Sequence, residues 1–434
     1  MGDGVLGSLI EDFEQHIANP EWAALFRNCF SNTLETTVRL ATANGQSDAF
    51  VITGDIEAMW LRDSTAQVWT YLPYVAQDKL LRAVFEGVIR RQTHCILIDP
   101  YANAFNRGPS GGPWQSDHTV MAPEVYERKW EIDSLCYPIR LAHGYWSATG
   151  DTEPLDGLWL RAMRRVVQTF REQQRKAGRH VPYFFQRTAR EAMDTLPNRG
   201  CGNPVAPVGM ICSAFRPSDD ATIFPFLVPS NLFAVRSLRQ LAEILTALEM
   251  APELAAECRQ MAAEVEEAVF AYGTHEHPPY GRIYAYEVDG FGGRVFMDDA
   301  NVPSLLSLPY LGCCAADDPI YLATRKFVLS ADNPWFFTGR FGEGVGSPHT
   351  GFNRIWPIGI TMRALTSSDD EEILACLRLL RCSSAGTGYM HEGFDPENPA
   401  EFSREWFAWA NSLFAELLLK LKNEKPSLLL RATR

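Results

Sequence analysis

The sequence predicts an all-α fold, an α/α barrel whose long loops gather into a pocket at one end. Three observations predict it. Apolar residues recur at steps of three and four through most of the chain. Period-2 alternation is confined to one short stretch. Between the helical segments stand six loops rich in Gly, Pro and aromatic residues, with charged residues inside otherwise apolar text. Ordinary connections run to about 4–6 residues, so loops of this length and composition point to function.

The elements follow in order. Helical spacing marks 21–43, 63–92 and 131–149. Residues 156–178 (DGLWLRAMRRVVQTFREQQRKAG) carry an apolar stripe that stops near Gly178. Ser230 is placed to cap a helix over 231–248, and Pro252 opens another over 252–272. Further helices are predicted at 319–330, at 369–382 and over 403–422, the last entered through Ser403 and Trp406. The alternating text around 281–298 predicts one hairpin turning through Gly290–Gly293. The six loops are 53–63, 101–118, 213–220, 297–312, 339–359 and 387–395, and residues 183–206 are expected to add pocket wall. No linker, low-complexity run or composition shift divides the chain, so one domain, 1–434, is expected.

Composition narrows the function classes. Lys and Arg number 40 against 53 Asp and Glu, a net charge of −13. That balance lacks the basic excess that neutralises nucleic-acid phosphates, and it disfavours docking on an anionic membrane. An aromatic share of 12% in an acidic chain leans toward carbohydrate chemistry, where rings stack on sugar faces and carboxyls transfer protons. The N-terminal MGDGVLGSLIEDFEQHIANP has no basic start and no long apolar core. No signal peptide is read there, and a cytoplasmic location is expected. No apolar run approaches the roughly 18 residues of a membrane span. The ten cysteines are scattered without a C-x-x-C pair and read as reduced thiols. No Cys/His cluster has zinc spacing, so neither metal nor cofactor is expected.

Four loops carry candidate chemistry. In TGDIEAMWLRDS, Trp60 suits a sugar face, while Arg62 and Asp63 suit vicinal hydroxyls through charge-assisted hydrogen bonds. Asp55 and Asp63 are also residues that cap helices. In SAFRPSDD, the neighbours Asp219 and Asp220 can push one pKa up, as a general acid requires. A helix N-terminus would favour the same residues and lower it. In TGYMHEGFD, Glu392 is a candidate base holding a water, beside His391 and Asp395. The loop GRFGEGVGSPHTGFNRIWPIG lacks the phosphate-loop pattern, and His349, Thr350 and Arg354 read as hydroxyl ligands. The stripe of Arg404, Glu405, Trp406 and Trp409 reads as helical core.

Together, TGDIEAMWLRDSTAQVWTYLPY, FRPSDDATIFPFLVPSNLFA, DDANVPSLLSLPYLG, GSPHTG and GYMHEGFD followed by REWFAWANSLFAELL resemble glycoside hydrolase family 125, the exo-α-1,6-mannosidases. The motifs run in order from 53 to 418. The resemblance implies an (α/α)6 barrel and metal-independent, inverting hydrolysis of terminal α-1,6-linked mannose from an α-mannoside oligosaccharide. It implies that the general acid is one of Asp219 and Asp220, with Asp220 preferred, and that Glu392 is the general base. Trp60, Arg62, Asp63, Asn231 and His349 are implied to line the terminal-mannose subsite, with Thr350 beside His349. The chain departs from the family pattern at Ala214, where glycine is expected, and at Gly393, where serine is common. Neither departure removes a functional group. Two rival readings are a histidine-based sugar epimerase or isomerase on the same barrel and a catalytically silent sugar-binding protein. Only nine histidines weaken the first, and the retained acids speak against the second.

Overall fold

The computed structural model describes residues 5–17, 19–176 and 183–434. Its helices are α1 (Val5–His16), α2 (Pro20–Asn32), α3 (Leu61–Trp69), α4 (Lys79–Ile98), α5 (Ile132–Thr149), α6 (Gly157–Gln173) and α7 (Val228–Ala247). There follow α8 (Pro252–Tyr272), α9 (Pro319–Val328), α10 (Pro357–Leu365), α11 (Asp370–Ser383), α12 (Ala408–Glu424) and α13 (Pro426–Ala432). Burial separates them into two layers. Helices α3, α5, α7, α10 and α12 are buried on nearly every face. Helices α4, α6, α8 and α11 bury one stripe and leave the other to solvent, as an outer layer must.

The inner helices form a ring. Helix α3 packs on α5, α5 on α7, α10 on α12, and α12 back on α3. Behind them lie α2 on α12, α8 on α7, α11 on α10, and α4 on α5 and α6. Between α7 and α10 the sixth inner place is filled by the turns of 297–312. Tyr137 of α5 donates to the Val302 carbonyl at 2.9 Å, and Tyr321 of α9 to that of Leu306 at 3.0 Å. The Asp298 carboxyl accepts from the Leu305 and Leu306 amides and closes the turn. The result is the (α/α)6 barrel expected from the sequence, with one inner helix replaced by a turn-rich segment. One continuous apolar cluster runs from Leu6 to Leu429.

Several boundaries differ from the sequence reading. The helix expected over 21–43 ends at Asn32 and, after one π turn, continues as a strand over 38–43 paired with 46–51. The β-branched text before Asn44–Gly45 explains this, because both turn residues adopt the positive φ that a tight hairpin requires. The segment 63–92 breaks into α3 and α4, and Asp78 caps α4 by accepting from the Leu80 and Leu81 amides. Ser230 is not an N-cap: α7 begins at Val228, with Pro229 in its first turn. The hairpin through Gly290–Gly293 pairs only 287–288 with 294–295, while 281–284 turns back onto 274–277. The helix expected from 403 starts at Ala408, because 398–403 pairs as a strand with 393–395. Helix α6 ends at Gln173; its expected stop near Gly178 lies outside the described residues.

Candidate active site

The first turns of α3, α10 and α12 open on one small pocket. Five of the six loops wall it. They supply Trp60, Arg62 and Asp63 from 53–63, Asp219 from 213–220, Asn301 from 297–312, His349 and Trp356 from 339–359, and Glu392 from 387–395. The sixth stands one layer back, where Asn103 Nδ2 donates to Asp219 Oδ1 at 3.2 Å. Residues 183–206 are not pocket wall. Their Arg187 and Asp194 pair with Asp117, Glu127 and Lys129 and brace the site from behind. A larger groove is lined by Trp69, Leu365 and Glu424, toward the opposite ends of the same helices.

Arg62 is the hub. Buried in the first turn of α3, its guanidinium reaches Glu131 at 2.6 Å, Asp219 at 3.2 Å, Asp133 at 3.3 Å and Asp63 at 3.4 Å. Glu131 stands at the N-cap position of α5, without a side-chain cap bond, and Asp133 lies in its first turn, so the positive ends of two inner helices help hold these acids. Burial raises the pKa of Asp63, Glu131 and Asp133, against the pull of Arg62. Asp133 rises to about 6. Trp60 Nε1, Asp63 Oδ2 and Thr53 Oγ1 are buried at the pocket without a hydrogen bond among the described residues.

The two adjacent aspartates diverge. Asp219 has φ 66°, a left-handed conformation that costs a non-glycine residue about 1–3 kcal/mol. That geometry turns its carboxyl into the pocket, while Lys129 Nζ holds its carbonyl at 2.8 Å. Burial pushes the Asp219 carboxyl up. Arg62, a hydrogen bond with Glu131, Lys129 and His349 overrule burial and hold it below the usual range. Asp220, preferred from the sequence, does not line the pocket: it accepts from Ser218 at 3.0 Å and faces His349 Nδ1 at 3.2 Å. Burial pulls His349 down, but the Asp220 hydrogen bond and the nearby carboxylates lift it to about 9. His349 is thus a cation at neutral pH, with 40% of its side chain open. Buried Arg216 and Glu287 anchor the loop: Arg216 Nε meets Glu287 Oε1 at 2.6 Å, and Glu287 Oε2 accepts from the Ile223 and Phe224 amides.

Glu392 enters from a different direction. Strand 393–395 bonds to Ile355, which places the carboxyl beside Trp356. Ser403 Oγ donates to Glu392 Oε2 at 3.1 Å, and Arg404 Nη1 reaches Oε1 at 3.4 Å. Arg404 also pairs with Asp55 and donates to the Thr53 carbonyl. Arg404 thus lies between two acids, Asp55 and Glu392. The site therefore offers two carboxyls in different settings, one beside Arg62 and His349, one beside Ser403 and Arg404.

The sequence pattern of the metal-independent alpha-mannosidases, family GH125, matches residues 19–419. The chain belongs to this family. The α-mannosidase is 41% identical to the meiotically up-regulated gene 157 protein of Schizosaccharomyces pombe, over 97% of this chain and 86% of that one. It is also 41% identical to a Streptococcus pneumoniae metal-independent α-mannosidase solved in a non-productive complex with α-1,6-mannobiose. That likeness has a TM-score of 0.92 and covers 97% of this chain and 98% of the other. A rhamnosidase of Bacillus sp. GL1 shares the fold alone, with a TM-score of 0.58 at 13% identity, covering 94% of this chain and 35% of the other. The protein is a glycoside hydrolase.

Two residues expected in the mannosidase subsite lie elsewhere. Asn231 is fully buried, and its amide serves the backbone of Ile211 and Leu227. Thr350 stands behind the wall, accepting from Trp356 Nε1 at 2.7 Å. Sequence reasoning missed Glu131, Asp133 and Asn103, and it placed Arg404 in helical core. The signal for the first two was present: KWEID puts acids at the start of an otherwise apolar helix. Among the described residues, no helix is long and apolar enough to cross a membrane.

Proposed function

We propose that this α-mannosidase is an exo-acting, inverting α-1,6-mannosidase in which Asp219 is the general acid and Glu392 the general base. One observation carries the reading: of the carboxyls in the two loops expected to hold acid and base, Asp219 and Glu392 alone share the pocket's lining. Loops wall the pocket on several sides, so that a chain end fits it, which supports exo action. The relative's binding of α-1,6-mannobiose supports the linkage. Trp60 offers a ring face and an N–H, and Arg62, Asp63 and His349 offer charged partners for hydroxyls.

The reaction follows. Asp219 gives its proton to the glycosidic oxygen as the bond from C1 breaks. Glu392 takes a proton from a water that attacks C1 from the opposite face, so the anomeric configuration inverts. In the open pocket Asp219 is held ionised by its cations. A neutral sugar filling the site strips water from the carboxyl, and that desolvation raises its pKa toward the acid form. The whole chain acts as one catalytic domain. Its ten free cysteines suit a reducing compartment, the cytoplasm. Proton NMR of α-1,6-mannobiose hydrolysis tests the reading. The first mannose to appear should be the β anomer; initial α-mannose would refute inversion, and no mannose would refute the linkage.

A further inference from the structure

The mechanism leaves one buried acid unused. Glu131 is wholly covered, yet it lies in the same cluster as the proposed acid. Arg62 and Asn103 each reach both carboxyls. Arg62 bonds Glu131 at 2.6 Å and Asp219 at 3.2 Å, and Asn103 Nδ2 lies 3.5 Å from Glu131 Oε1 and 3.2 Å from Asp219 Oδ1. The remaining Glu131 oxygen, Oε2, already accepts from Arg62 and Ser134. The two shared donors hold the carboxyls side by side, where a proton on Glu131 has Asp219 as its neighbouring acceptor.

Charge counting agrees. Four carboxyls, those of Asp63, Glu131, Asp133 and Asp219, surround a single guanidinium. The other charged groups facing the cluster are Lys129, which pairs with Glu127 and Asp194, Arg404 near Asp63, and His349 near Asp219. So many anions in a dry site cannot all stay ionised. Glu131 and Asp133 both have no exposure, but of the two only Glu131 shares Asn103 with Asp219, and burial lifts its pKa far above the usual range. Asp219 has 21% of its side chain open to the pocket.

We propose that Glu131 is a positioning residue for the general acid: it stays protonated at neutral pH, donates that hydrogen to the Asp219 carboxyl, and stabilises the carboxylate left after Asp219 protonates the leaving oxygen. Only the Asp219 O–H and the glycosidic C1–O bonds break in the step; the Glu131 proton stays in place. The inference rests on the reading of Asp219 as the acid.

The pH profile of kcat/KM on α-1,6-mannobiose tests it. A neutral donor lowers the pKa of its acceptor, so Glu131→Met should move the alkaline limb up by about one pH unit and cut kcat about tenfold or more. Glu131→Gln keeps an N–H donor and should bring limb and rate back toward wild type. A downward shift would mean that Glu131 is ionised, and no shift that it is a bystander; either overturns the proposal. Infrared difference spectra of wild type against Glu131→Gln at neutral pH decide independently, even should Glu131→Met not fold. Loss of a protonated-carboxyl band is expected, and loss of a carboxylate band overturns the proposal. Asp219→Asn separates the two claims. If it keeps the alkaline limb, the acid assignment fails. If the limb vanishes there yet does not move in Glu131→Met, only the inference about Glu131 fails.

Discussion

Asp219 and Asp220 are neighbours in sequence with opposite duties in space. The left-handed φ of Asp219 turns one carboxyl into the pocket and leaves the other to His349. No residue pattern encodes that choice, because aspartate tolerates both conformations and the surrounding contacts select one. The pairing has a measurable consequence. His349 should titrate with a midpoint near 9 by NMR, and Asp220→Asn should lower it, since the carboxylate supplies the hydrogen bond and charge that lift it. An unchanged midpoint would show that Asp220 does not hold the cation. A histidine raised in the fold adds stability that is complete below its ordinary value and is lost as pH rises through about 9. At Glu392, exchange for glutamine removes the basic oxygen but keeps the contacts to Ser403 and Arg404. The turnover of Glu392→Gln should fall roughly 10²–10⁴-fold while calorimetry still shows sugar binding. Near-normal turnover would dismiss it as base.

At the level of elements, the site depends on segments that look like mere connections. The loop 213–224 is pinned by buried Glu287, a residue of a two-residue strand far along the chain. Glu287→Leu leaves Arg216 buried without its partner and frees two amides, which should cost about 3–5 kcal/mol in denaturant unfolding. It should also raise KM by loosening Asp219. A loss below 1 kcal/mol would show that the pair is not structural. The periodicity of α5, α6, α7, α8 and α11 was legible because those helices have long apolar stripes and clear ends. Residues 38–43 and 403–407 were misread as helix because their side chains satisfy helical spacing. There the strand partners at 46–51 and 393–395 decide, and pairing is a long-range or turn-dependent fact. The second misreading hid Arg404: taken as a helical stripe, it is in fact a left-handed residue between Glu392 and Asp55.

Over the whole molecule, the two ends of the inner helices behave differently. The N-terminal ends collect the acids of the pocket, while α12 holds another, half-buried acid, Glu416, at the groove at the other end. Burial lifts Glu416 to about 7 despite Arg140 and a hydrogen bond from Tyr310 at 2.9 Å. An acid raised in the fold loses its proton later than in the unfolded chain. Stability should therefore fall as pH rises from the ordinary carboxylate range to about 7, by roughly 2–3 kcal/mol, and level off above. Glu416→Gln should flatten that fall in thermal melts across the same window. An unaltered slope would assign it to other groups.

By itself the sequence determined the helical barrel, the family and the loops that matter, because periodic burial and rare motifs are local and survive in one dimension. It also supplied Trp60, Arg62, Asp63, His349 and Glu392 as pocket residues. Only the tertiary structure decided which aspartate enters the pocket, that Asn231 and Thr350 serve as supports, and that Glu131 stands behind the acid. Those outcomes turn on backbone direction, on burial, and on one arginine shared by four carboxyls. Each of these exists only once distant segments have closed the ring.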